Sequence, residues 1–170
     1  MILQKLMSVT DVPYVDGTGR KRRDLHELAY NFYLVIKGIR PAFMVQTVDY
    51  ESWSAVAPIV EQLHLIAARE SFILKSRCDQ GILFGRICQD KLSEYQRTGS
   101  DVVLGHILGY PCSAKLGPHM LFRAYLVING REVLCNMLQT FEDFKRFRTY
   151  ADDVQYNAPE LNVTTQIYRN

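Results

Sequence analysis

The dipeptide Asn129-Gly130 is the strongest single constraint on how this chain can fold. Both residues accept the positive φ angles of a two-residue hairpin turn, and runs of apolar and β-branched residues flank them. Residues 120–128 and 131–140 are therefore expected to pair antiparallel across the turn. A lone hairpin is marginal in water, so its apolar face needs helices or further strands to lie on.

The upstream sequence supplies them. Leu25, Leu28, Ala29, Phe32, Val35, Ile36 and Ile39 recur at the spacing of one helical face, which predicts a helix over 25–37. Asp24 and Glu27 make a capping-box pair at its start, while Gly38 and Pro41 end it. Residues 41–48 read as a buried strand. Residues 55–69 read as a second amphipathic helix with Val56, Ile59, Val60, Leu63, Ile66 and Ala67 inward, Ser54 as cap and Pro58 near the first turn. A strand over 71–77 follows.

Residues 79–99 carry two competing patterns. Ile82-Leu83-Phe84 fits the return strand of a hairpin turning at 79–81. Phe84, Ile87, Cys88, Leu92 and Tyr95 instead keep helical spacing, and this longer pattern favours a helix with Gly85 as its weak point. A short helix over 101–108 is capped by Ser100 and closed by Gly109. Phe141, Phe144, Phe147 and Tyr150 space as a helix with acidic residues early and basic residues late, as the helix dipole prefers. Residues 152–170 read as a polar tail with a final strand at 163–168. The sum is an α+β protein, a single globular domain spanning 1–170, with a mostly antiparallel sheet and several packed helices.

Composition narrows the function classes. The chain has 170 residues, 48% of them hydrophobic, so it can bury a core without metal or disulfide staples. Twenty Lys+Arg against 18 Asp+Glu leave a net charge of +2, far from the balance of a protein that wraps DNA. No apolar run has the length of a membrane span, and the N-terminal residues do not read as a signal peptide. Cys78, Cys88, Cys112 and Cys135 show no paired spacing, so reduced thiols and a cytoplasmic location are expected, and the Asn162 glycosylation sequon carries no weight. No membrane partner and no cofactor are expected.

Three surfaces could carry chemistry. The first is Arg20, Lys21, Arg22 and Arg23, which follow two glycines and run into the first predicted helix. Cations at a helix N-terminus oppose the dipole, so their presence there points to an anionic ligand, although the spacing is neither a P-loop nor a dinucleotide fingerprint. The same residues could serve as a nuclear-import patch or as a solvated loop. The second is the stretch from His106 to His119, which gathers Tyr110, Cys112 and Lys115 between a helix and the hairpin. Cys112 could act as a nucleophile with His106 or His119 as base. It could equally be an apolar filler, and His106, Cys112 and His119 are too few and too oddly spaced for a metal site. The third is Tyr30 and Tyr33, opposite the core face of their helix; an element of the same domain is the first expectation for what covers them, a second subunit the next.

These features point first to a non-catalytic binding or regulatory protein for an anionic ligand, a nucleotide or nucleic-acid phosphate held by Arg20, Lys21, Arg22, Arg23, Tyr110 and Lys115. A small Cys–His hydrolase or transferase built on Cys112 is the second reading. A structural or assembly protein, a homo-oligomer joined through Tyr30 and Tyr33, is the third. Arg123, inside the hairpin, must face solvent, a ligand or a carboxylate.

Overall fold

A computed structural model describes residues 1–12, 25–112 and 122–169. The class is α+β, as expected, with six α-helices and two three-stranded antiparallel sheets among the described residues. Chain contacts divide it into two compact units, Met1–Ile87 and Cys88–Asn170. None of the described helices is long and apolar enough to cross a membrane.

The first unit runs α1 (Ile2–Thr10), α2 (His26–Ile36), β1 (Ala42–Gln46), a 3-10 turn (Thr47–Asp49), α3 (Trp53–Glu70), β2 (Leu74–Cys78) and β3 (Gly81–Gly85). Its sheet has the order β1-β3-β2, so β3 is central and both neighbours pair with it antiparallel. Phe32 of α2 meets Phe43 of β1 at 4.8 Å and Phe84 of β3 at 5.1 Å between ring centroids. From α3 the His64 ring packs on Phe84 at 5.1 Å, while its Nε2–H donates to the Ile73 carbonyl. One aromatic cluster thus ties two helices to one sheet face. Helix α1 was not anticipated; Leu6 and Thr10 are its buried residues, and α1 packs against α2 and α3.

Three expectations need correction here. The helix predicted from Phe84 begins only at Gln89, and residues 81–85 form the central strand of the sheet, the return strand of the alternative hairpin reading. A strand buried on both faces is a continuous apolar run, which periodicity cannot tell from one side of a helix. Gly85 decides it, because its φ of +144° has no place in a helix. Helix α3 starts before Ser54, with Ser52 at the cap position making no side-chain cap bond, and Pro58 lies inside the helix rather than at its start. Asp24 lies outside the described residues, and the position preceding α2 is Leu25, which makes no side-chain cap bond.

The second unit runs α4 (Gln89–Thr98), α5 (Asp101–Leu108), β4 (Phe122–Ile128), β5 (Arg131–Leu138), α6 (Phe141–Asn157) and β6 (Val163–Arg169), with sheet order β5-β4-β6. The hairpin forms as expected: Asn129 and Gly130 have φ of 49° and 81°. Ser100 caps α5 by accepting from the Val103 N–H, and Gly109 ends it in the left-handed region. Thr140 and Asp143 form a reciprocal capping box at α6. That helix continues to Asn157, so residues 152–157 are helix rather than tail, and Phe147 rather than Phe141 is its buried ring. The Gln155 side chain then accepts from Val163 N–H at 3.0 Å and donates to Leu161 O at 2.6 Å, which sets the start of β6.

Candidate ligand-binding groove

The sheet register of the first unit builds a concave surface beside α3. Lys75 stands opposite Phe84 and Arg77 opposite Ile82, so the two cations of edge strand β2 share a face with the apolar side chains of β3. Charges on an edge strand have an ordinary role, since they discourage pairing with another chain. Here they also rim a groove of about 360 Å³ between the sheet and the first turns of α3. Trp53, Ala57 and Pro58 form the helix side, Ile82 and Phe84 the floor, and Glu61, Lys75 and Arg77 the polar edge.

Its electrostatics are uneven. Lys75 Nζ donates to Glu61 Oε2 at 2.8 Å, and this hydrogen bond and the ammonium charge hold the Glu61 carboxyl below its ordinary range. The Arg77 side chain has no hydrogen-bond or ion-pair partner among the described residues. The first turn of α3 carries no acidic residue and no side-chain cap, so its partial positive charge is not offset there. A planar guanidinium and an indole lining one groove are suited to hold an anion attached to a flat apolar body.

No family model, no curated protein and no solved structure matches the chain, so the groove is judged on its chemistry alone.

Among the described residues, none of the site positions singled out from sequence lines the groove. Arg20, Lys21, Arg22, Arg23, Lys115 and His119 lie outside the described residues. Tyr30 and Tyr33 are each 5% exposed, in keeping with contact inside the same chain. His106 is exposed in the last turn of α5, and Tyr110 follows the helix with its N–H on the Gly105 carbonyl at 2.9 Å. Arg123 is exposed on β4.

Cys112 is buried and held at every polar atom. The Asn136 side chain accepts from its N–H at 3.0 Å and donates to its carbonyl at 3.0 Å, while the thiol donates to the Asp143 carbonyl at 3.2 Å. Burial, with the Asp143 charge adding to it, pushes the thiol up to about 11. The group is therefore a thiol, not a thiolate, at neutral pH. Because the protonated form is favoured in the folded state, its contribution to stability is complete below about pH 9 and is lost as pH rises towards about 11. Iodoacetamide at mildly alkaline pH is accordingly expected to label Cys112 far more slowly in the folded protein than in urea. Equal rates would return it to the list of nucleophiles.

Sequence reasoning passed over Trp53, Glu61, Lys75 and Arg77. The available signal was the alternation of Lys75 and Arg77 along a predicted strand. It is weak, because two cations with period two also describe a solvated edge.

Proposed function

We propose that this is a non-catalytic binding protein for a small anionic ligand with a flat apolar body, a nucleotide phosphate being the chemistry that fits. The ligand occupies the groove between α3 and the β2–β3 hairpin. Arg77 pairs with the anion, Trp53 covers the planar body, and Ile82 and Phe84 supply an apolar floor. The observation that carries this reading is that one groove is lined both by an indole and by an arginine whose side chain has no partner among the described residues. The Cys112 environment favours binding over nucleophilic catalysis, since the thiol is consumed in a structural hydrogen bond.

Trp53 is the only tryptophan, so its emission reports on the groove without labelling. Titration with adenosine 5′-monophosphate (AMP) is expected to quench or shift that emission with saturation. Arg77→Ala is expected to weaken binding about tenfold or more, the scale of one charge-assisted hydrogen-bonded contact. Trp53 emission unchanged by AMP and by its 3′,5′-cyclic diester alike would contradict the reading.

A further inference from the structure

Lys75 and Arg77 face the same groove from neighbouring positions of β2, yet only one of them is available to a ligand. Glu61 reaches across from α3 and occupies Lys75 at 2.8 Å, at a site where both side chains remain partly exposed. Two cations against one carboxylate leave the groove a single uncompensated positive charge, on Arg77. The carboxylate also stands where a second negative charge on a ligand would approach Lys75.

We propose that Glu61 sets the charge of the ligand: by neutralising Lys75 it tunes the groove to a monoanion, a phosphate diester rather than a terminal phosphate monoester. The proposal rests on the groove being the ligand site. Near neutral pH a monoester carries close to two negative charges because its second pKa is about 6, whereas a diester carries one. The diester matches Arg77 alone. The monoester must either break the Glu61–Lys75 pair or bear the repulsion of the Glu61 carboxylate. A volume of about 360 Å³ is at the small end for ligand sites and suits one nucleotide rather than two.

The test compares 3′,5′-cyclic AMP with AMP, which share base and sugar and differ in phosphate charge. Each is titrated at about pH 7.5, where the monoester is mostly doubly charged, against wild type and Glu61→Gln with Trp53 emission as readout. Wild type is expected to prefer the cyclic diester. Glu61→Gln frees Lys75 and is expected to move the preference about tenfold towards AMP, the factor for one modestly screened charge contact. A ratio that Glu61→Gln leaves unchanged, or a wild-type preference for AMP, overturns the charge-selection role while the groove remains a binding site. Failure of both ligands to perturb Trp53 overturns the groove and this inference together. The dinucleoside monophosphate ApA separates the sources of a diester: binding as tight as cyclic AMP assigns it to a nucleic-acid linkage, weaker binding to a free cyclic ester. Glu61 and Lys75 are surface residues, so thermal unfolding of the variant should match wild type.

Discussion

Gly85→Ala is expected to abolish folding of the first unit, as a loss of the cooperative urea transition and of the far-ultraviolet signal from α2 and α3. A Cβ at this position would lie 2.3 Å from the Pro41 carbonyl oxygen and 2.6 Å from Ala42 Cα. Both obstacles are backbone, and that backbone is held by the β1–β3 ladder and by the Arg86 N–H, which donates to the same Pro41 carbonyl at 2.8 Å. Neither can swing away as a flexible side chain would. The φ of +144° adds conformational strain that only glycine escapes. We expect a cost above about 4 kcal/mol, in the range reserved for changes that break a core. Gly99→Ala is the matched control: its φ is +65° but nothing lies within 4 Å, so only the left-handed penalty of about 1–2 kcal/mol applies. Similar costs for the two variants would refute the close-approach account of β3.

Asn136→Ala should be the most damaging polar substitution in the second unit. Asn136 is 4% exposed, and its amide bonds both backbone groups of Cys112 in a two-point clasp. Truncation removes two hydrogen bonds and leaves a buried N–H and a buried C=O without their partner, each costing about 1–3 kcal/mol. The sum expected is about 2–6 kcal/mol, read as a shift of the urea midpoint with little change in slope. The Cys112 thiol should become reactive in the same variant, because its segment loses the clasp that presents it to the Asp143 carbonyl. A shift near zero would mean that the segment is held by other contacts. The pairing also explains a cysteine that attracted attention for its chemistry: it fills a buried site behind Pro111 and satisfies a carbonyl at the start of α6.

Much of the fold was legible where local chemistry has one solution. Asn129-Gly130 can make only a few turns, Ser100 and Gly109 bracket a helix from both ends, and the face of 25–37 is apolar at one spacing; all three elements form where expected. The failure at residues 81–85 has a physical cause. Leu83 and Phe84 are fully buried on opposite sides of β3, so the strand shows no alternation, and helical spacing could be traced through it by chance. Helix α1 was missed although Ile2, Leu3, Leu6 and Met7 lie on one face of it; a helix this short is marginal by itself and is held by packing on α2 and α3.

The candidate site was far less legible than the fold. Anion-binding chemistry was sought in the cations 20–23, where four lie together, and in the residues between His106 and His119. The groove instead assembles Trp53 and Glu61 from one helix with Lys75, Arg77, Ile82 and Phe84 from two strands. Its members are up to 31 positions apart in sequence and meet only because β2 pairs with β3 in one register, Arg77 opposite Ile82. A one-residue slip would turn both cations to the other face of the sheet. The hairpin turning at 79–81 that builds this register was the less favoured of the two readings of 79–99.

The central claim, that the α3–β2–β3 groove is where an anionic ligand binds, is tested most directly by mapping amide and indole chemical shifts during titration with 3′,5′-cyclic AMP. The account predicts saturating shifts centred on the Trp53 indole N–H and on the amides of residues 53–58 and 75–77. Shifts centred instead on residues 20–23 or 106–119, with Trp53 unmoved, would contradict it.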